Sequence, residues 1–133
     1  MNILVANDDG IQAKGIAKLT EALSLAGHDV YVIAPNGQRS AYSHAISINK
    51  DVLFSEVEDY PFAKEAYMVD GTPADCVKLG TLFLKKRGIR TEAVYTGINH
   101  GANLGTDTMY SGTVSSAAEG AFLGLPSVAV SVI

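Results

Sequence analysis

The first 35 residues carry the pattern of a strand, a helix and a second strand. Residues 3–6 form a short apolar run that closes on Asn7-Asp8-Asp9-Gly10, as a buried strand does when it ends in a turn. From Ile16 onwards apolar residues recur at helical spacing, and Gly27 stands where a C-terminal helix cap is expected. Residues 30–34 then predict a second buried strand. Such a unit, with a right-handed crossover, begins a parallel sheet that helices cover on both faces.

The middle of the chain predicts an antiparallel arm beside that sheet. Residues 45–57 alternate between apolar and polar side chains, which is typical of a half-exposed strand, and residues 67–69 are its candidate pairing partner. A helix is predicted to begin near Pro73, with Thr72 or Asp70 as its cap. The predicted buried stripe of this helix consists of Val77, Leu79, Leu82 and Phe83. The remaining elements are a core strand over residues 93–98, a helix over 114–122 and a last apolar strand over 127–133.

Length and composition indicate one packed domain over residues 1–133, because domains most often run to about 100–150 residues. A net charge of −4 argues against a broad surface for nucleic-acid backbone, which requires clustered Lys and Arg. The single cysteine, Cys76, cannot form an internal disulfide, and the sequence lacks a signal peptide and an apolar run long enough for a membrane span. These features predict a cytoplasmic protein without a membrane or nucleic-acid partner.

Polar side chains follow three of the predicted strands. Asp8 and Asp9 come after the first strand, Arg39 and Ser40 lie beyond the second, and Asn99 closes the strand over 93–98. Ligands of open α/β sheets bind outside the carboxyl ends of the strands. Except for Arg39 these are oxygen donors, which suit a hard cation such as Mg²⁺, Mn²⁺ or Ca²⁺, whereas zinc prefers His and Cys. The alternative is that one aspartate caps the following helix and the other is solvated.

A glycine-rich stretch over residues 97–105 precedes a predicted helix start at Ser111-Gly112-Thr113. Glycines let backbone amides approach a ligand closely, and helix N-terminal amides with Ser and Thr hydroxyls form an anion site that suits phosphate. The stretch is neither a Walker loop nor a dinucleotide fingerprint. The alternative is a plain turn with Ser111 as an N-cap. His44 and His100 are candidate acids or bases, although a lone histidine is more often a surface residue.

Several of these motifs, in order and spacing, resemble the SurE family of survival-protein nucleotidases. The resemblance runs along essentially the whole chain. The motifs are Asn7-Asp8-Asp9-Gly10-Ile11, Gln38-Arg39-Ser40 with Ser43-His44, Gly71-Thr72-Pro73-Ala74-Asp75, Gly97-Ile98-Asn99 with Gly101-Ala102-Asn103-Leu104-Gly105, and Tyr110-Ser111-Gly112-Thr113-Val114.

This resemblance implies an α/β, Rossmann-like three-layer sandwich with a β-hairpin arm. It also implies a phosphatase that hydrolyses nucleoside 5′- or 3′-monophosphates, and in some cases short polyphosphate, with one Mg²⁺ or Mn²⁺ ion. The implied metal ligands are Asp8, Asp9, Ser40 and Asn99, with Asp8 and Asp9 as catalytic residues. The implied phosphate or substrate contacts are Asn7, Arg39, Asn103, Gly105, Ser111, Gly112 and Thr113. Thr96 and His100 depart from the usual family residues and leave the ligands intact.

The resemblance further implies a homodimer or homotetramer and a longer protein, since family members continue well past Ile133. The chain also stops inside a predicted apolar strand, which is typical of the N-terminal part of something longer. A phospho-receiver domain is an alternative that needs a phospho-accepting Asp after a central strand, where this sequence has Asn99. A metal- or nucleotide-binding module without turnover is the other alternative.

Overall fold

Strands and helices alternate along most of the chain. The computed structural model describes residues 1–37, 52–101, 104–105 and 111–133. Its elements in chain order are β1 (Asn2–Ala6), α1 (Lys14–Leu25), β2 (Asp29–Pro35), β3 (Phe54–Glu56), β4 (Glu65–Val69), α2 (Pro73–Lys86), β5 (Ala93–His100), α3 (Gly112–Phe122) and β6 (Ser127–Val132).

Six strands within the described residues form one sheet in the order β3-β4-β2-β1-β5-β6. All neighbouring strands pair in parallel except β3, which is antiparallel to β4. Counted along the chain, the five parallel strands have the order 3-2-1-4-5, the order of the Rossmann type. Receiver domains have the order 2-1-3-4-5, so the topology excludes that alternative. The predicted α/β fold with a mostly parallel sheet is confirmed.

The two faces of the sheet bury separate apolar clusters. On one face, Ile16, Leu19 and Leu23 of α1 pack with Ile3 and Val5 of β1 and with other strand residues. We call this the α1 cluster. On the other face, Cys76, Val77 and Leu84 of α2 pack with Leu4 and Ile33, among others, in the α2 cluster. Helix α3 contacts α2, which completes a three-layer arrangement. No helix in the described part of the chain has the length and apolarity needed to cross a membrane.

The helix ends follow the signals in the sequence. The amide of Gly27 bonds to Ser24 O, and the amide of His28 bonds to Leu23 O, which closes the end of α1. Thr72, rather than Asp70, caps α2: its hydroxyl accepts the Asp75 amide while the Asp75 carboxylate accepts the Thr72 amide. Cys76 of α2 is fully buried in the α2 cluster.

Two details differ from the sequence-based predictions. Residues 67–69 pair with β3 as predicted, but they belong to β4, which also pairs with β2 inside the main sheet. Leu82 is 51% exposed, because the buried stripe of α2 runs through Val77, Gly80 and Leu84. The last predicted strand, over residues 127–133, is observed as β6, a largely exposed edge strand. The predicted arm over 45–57 lies mostly outside the described residues.

Candidate metal and phosphate site

The turn after β1 is held by the side chain of Asn7. Its amide nitrogen donates to the Gly10 carbonyl across 2.7 Å, and its amide oxygen accepts the Gly10 amide across 3.2 Å. Gly10 adopts a φ of 105°, a conformation that favours glycine. Both ends of the Asn7 amide are therefore engaged in the turn. We assign it a role in fixing the turn, and its predicted contact with phosphate stays a prediction.

Asp8 is a buried carboxylate with an unpartnered oxygen. The residue is 5% exposed, and its Oδ1 has no hydrogen-bond partner among the described residues. Burial, and secondly the negative charge of Asp9, raise the pKa of Asp8 to about 6. An ionised carboxylate in this environment is unfavourable unless a positive group compensates it.

The Asp8 carboxylate lies against the first residue of α3. A Cβ atom placed on Gly112 would lie 2.6 Å from Asp8 Oδ1 and 3.2 Å from Pro73 Cγ. Only glycine leaves room for the carboxylate at this point. The end of β1 and the N-terminus of α3 therefore meet, although 104 residues of sequence separate Asp8 from Gly112.

Asn99 lies at the same edge of the sheet as the aspartates. Strand β5 is the neighbour of β1, and Ala6 pairs with Thr96, so the turn that begins at Asn7 lies beside the last residues of β5. The Asn99 amide nitrogen donates to the Gly101 carbonyl across 3.1 Å, a hydrogen bond that does not use the side-chain oxygen of Asn99. This edge lies between β1 and β5, where the strand order reverses, which is where open α/β sheets bind ligands.

The N-terminus of α3 is buried and joined to β5. Ser111 caps the helix, since its hydroxyl oxygen accepts the Val114 amide across 3.2 Å. Thr96 donates to the carbonyl oxygen of Thr113 across 2.6 Å, and the Thr113 hydroxyl is buried without a partner among the described residues. Ser111 thus caps α3, and a cap is compatible with an anion site because a helix leaves other first-turn amides without intrahelical partners.

A groove of about 530 Å³ opens beside Asp9. Its walls include Ile98 and Val132, and its basic lining residues are Lys14, Lys18 and His100. The two lysines are four residues apart on α1, a spacing that places them on one helix face. The sequence reasoning overlooked them, although their position soon after Asp9 and their helical spacing were available signals.

The predicted site residues fall into three groups. Those that the structure brings to one edge of the sheet are Asn7, Asp8, Asp9, Asn99, Ser111, Gly112 and Thr113. Gly105 is exposed, and Arg39, Ser40, His44 and Asn103 lie outside the described residues. Three or more His, Cys, Asp or Glu side chains do not cluster anywhere in the described ranges. A cation at this edge would therefore rely on amide and hydroxyl oxygens beside the two carboxylates.

Comparison with known proteins identifies the family of the chain. The family model described as "Survival protein SurE" matches residues 3–133. A "5′-nucleotidase SurE" of Clostridium beijerinckii is 50% identical over 131 residues, covering 98% of this chain and 50% of the relative. A "5′-nucleotidase SurE" of Caldanaerobacter subterraneus is 46% identical over 130 residues, covering 98% of this chain and 50% of the relative.

A solved structure gives the same result. The SurE protein of Aquifex aeolicus superposes with a TM-score of 0.87 at 41% identity, over 98% of this chain and 50% of the Aquifex chain. The chain therefore spans about half the length of the curated relatives that it matches. The family model covers nearly every residue, and the fold is shared with a solved member. This chain belongs to the SurE family.

Proposed function

We propose that this chain carries the metal and phosphate site of a phosphoric monoester hydrolase that acts on nucleoside 5′-monophosphates. Nucleoside 3′-monophosphates and short polyphosphate are further proposed substrates. The proposal depends chiefly on the buried carboxylate of Asp8, whose Oδ1 lacks a partner among the described residues. The names of the relatives, 5′-nucleotidases in each case, support a nucleotide as substrate.

One Mg²⁺ or Mn²⁺ ion is the proposed cofactor, and the donor set fits such an ion. Asp8 and Asp9 supply carboxylate oxygens and Asn99 an amide oxygen, which are hard ligands. A divalent cation would compensate both the burial of Asp8 and its repulsion with Asp9, the two causes of its raised pKa. Ser40 is the proposed fourth ligand and lies outside the described residues.

The proposed reaction divides the work among the elements of the site. Asp8, Asp9 and Asn99 would hold the cation, which when bound would supply positive charge at a phosphate oxygen and would lower the pKa of the attacking water. The first-turn amides of α3 and the hydroxyl of Thr113 hold other phosphate oxygens, in positions that do not need to reorganise during the reaction. Asp8 or Asp9 accepts the proton of the attacking water. The water oxygen forms a bond to phosphorus as the P–O ester bond breaks, and the leaving nucleoside oxygen takes up the proton that the aspartate accepted, which gives the nucleoside and inorganic phosphate.

Two further features belong to the proposal. A homodimer or homotetramer is the proposed assembly, as the family resemblance implies. A cytoplasmic location is supported by the single cysteine, Cys76, which is fully buried and cannot form an internal disulfide.

The test combines binding and turnover in the 133-residue chain. Melting temperature and phosphate release from AMP and from p-nitrophenyl phosphate are measured with Mn²⁺, with Mg²⁺ and with EDTA. We expect a metal-dependent rise in melting temperature and metal-dependent phosphate release, both lost in Asp9→Asn. Asp29→Asn is the control. It removes an exposed carboxylate at the N-terminal end of β2, whereas Asp9 lies at the C-terminal ends of the parallel strands.

Each outcome has a distinct meaning. A metal-induced rise in melting temperature without phosphate release would favour a binding module over an enzyme for this chain. An unchanged melting temperature in all three conditions would contradict the metal site itself.

A further inference from the structure

Tyr60 touches the loop that carries the two aspartates. It lies in the segment between β3 and β4, and its hydroxyl donates a hydrogen bond to the carbonyl oxygen of Ile11 across 3.1 Å. Ile11 is two residues beyond Asp9, while Tyr60 is 49 residues away from Ile11 in the chain. This contact therefore ties the outer edge of the sheet to the turn at its centre.

Both partners of this hydrogen bond are themselves held in place. Ile11 is 2% exposed within the α1 cluster, and its amide donates to the Pro35 carbonyl across 2.9 Å. The Tyr60 ring packs against the same cluster together with Val57 and Ala63. Burial raises the pKa of the Tyr60 phenol, so its hydroxyl remains a donor at neutral pH. The bond is thus anchored at both ends.

The turn is secured on two sides by different residues. Asn7 bridges the near side, through its two hydrogen bonds to Gly10. On the far side, the Ile11 amide bonds to Pro35 and the Ile11 carbonyl to Tyr60. Between these two anchors lie Asp8 and Asp9, whose negative charges repel each other. The hydrogen bonds to Pro35 and Tyr60 oppose any displacement of the turn that this repulsion favours.

We infer that Tyr60 is a positioning residue of the metal site, which holds the turn in the geometry that presents Asp8 and Asp9 to one cation. The inference rests on the proposed function. Ligands must be held within about 0.5 Å of their working geometry by neighbouring groups. Tyr60 performs this role through the backbone of Ile11 and does not touch the cation or the substrate.

Tyr60→Phe tests the inference, because it removes the hydroxyl and keeps the ring in the α1 cluster. Mn²⁺ affinity is measured by titration calorimetry, and melting temperature is measured with Mn²⁺ and with EDTA. We expect Mn²⁺ to bind about three- to tenfold more weakly, the effect of losing one hydrogen bond. Tyr31→Phe is the matched control, since it removes a phenol hydroxyl from a ring that packs against the α2 cluster on the other face.

Amide hydrogen exchange in EDTA provides a readout that does not require the metal. Exchange at Gly10 and Ile11 should become faster in Tyr60→Phe and stay unchanged in Tyr31→Phe. Unchanged exchange together with unchanged Mn²⁺ affinity would overturn the inference. A lower melting temperature in EDTA with wild-type Mn²⁺ affinity would also overturn it, because the bond would then serve stability alone. Failure of the wild-type chain to bind Mn²⁺ is a different result, which rejects the proposed metal site.

Discussion

Asp8 combines two requirements that conflict in the metal-free chain. Its carboxylate must be ionised to bind a cation, yet burial and the charge of Asp9 favour the protonated form and raise its pKa to about 6. The neighbouring Gly112 leaves space for the carboxylate without giving its Oδ1 a hydrogen-bond partner. The metal-free protein therefore tolerates an unfavourable carboxylate, and a bound cation would remove that penalty.

The first prediction concerns the pH dependence of stability in EDTA. The folded state holds the Asp8 proton up to about pH 6, whereas the unfolded chain releases it near pH 3.8. The stability that the folded state gains from holding this proton is therefore fully present below pH 3.8, and it is lost as pH rises through 6. We expect the stability of wild type relative to Asp8→Asn to fall by about 1–2 kcal/mol between pH 4 and pH 7, after an allowance for solvent screening.

Urea unfolding of both proteins at the two pH values measures this difference, and the subtraction removes the titration of groups that do not interact with Asp8. With saturating Mn²⁺ at pH 7, wild type should be more stable than Asp8→Asn, because only wild type keeps both carboxylates for the metal. A difference between the two proteins that does not change with pH would contradict a raised pKa at Asp8.

For single residues, the sequence predicts roles that depend on neighbours close in the chain. Thr72 and Ser111 were predictable as caps because a cap and its helix lie within four residues of each other. Asp8, Asp9 and Asn99 were predictable as edge residues because each follows an apolar strand. The contact between Asp8 and Gly112 and the one between Tyr60 and Ile11 were not predictable, since each joins segments that only the folded sheet brings together.

At the scale of elements, α1 is packed against β5 without space between the backbones. A Cβ atom on Gly15 would lie 2.1 Å from the carbonyl oxygen of Ile98, far inside contact distance. Ile98 is the residue before Asn99, so the close approach of the helix also fixes the position of a proposed metal ligand. Backbone atoms on β5 cannot move aside as a flexible side chain can.

The second prediction concerns Gly15→Ala, in which a collision with β5 opposes the gain in helix propensity. In Gly15→Ala, propensity favours alanine by up to about 1 kcal/mol, whereas the collision with Ile98 costs about 1–3 kcal/mol, so we expect a net loss of stability. Ala22→Gly, at an exposed position of the same helix, should lose about 1 kcal/mol through propensity alone. Denaturant unfolding measures both variants. A Gly15→Ala protein as stable as wild type would show that the two backbones can separate.

The core strands were easier to predict from the sequence than the buried face of α2, for a physical reason. Strands β1, β2 and β5 each contain a run of apolar residues because both faces of the sheet are covered there, and such runs are plain in a sequence. Leu82 was assigned to the wrong face of α2 because the true stripe passes through Gly80, where the absence of a side chain lets Ile33 and Leu4 approach. The sequence pattern counts apolar side chains and misses a glycine that forms part of a contact.

Over the whole molecule, exposed apolar side chains lie near both ends of the sheet. Near β3 and β4, Phe54 stacks on Phe83 at 4.6 Å between ring centroids, while Leu53 and Phe62 are 67% and 48% exposed. At the other end, β6 pairs with β5 on one side, and no strand of the described chain pairs with its outer edge. Val128 and Val132 on this strand are 41% and 45% exposed, and Phe122 at the end of α3 is 76% exposed. An unpaired strand edge beside exposed apolar side chains favours association.

The last prediction is therefore that the 133-residue chain self-associates through β6. Light scattering and sedimentation over a range of concentrations should show dimers or larger species at micromolar concentration. Val128→Lys should shift the chain towards monomer, because a charge on an edge strand opposes pairing with a second edge. Leu25→Lys is the control: it adds the same charge at an exposed apolar position of α1, far from β6, and should leave association unchanged. A wild-type chain that stays monomeric and unfolds cooperatively at every concentration would show that the exposed edge is tolerated, since an edge strand can stay unpaired when its twist and its flanking side chains prevent a second strand from aligning with it.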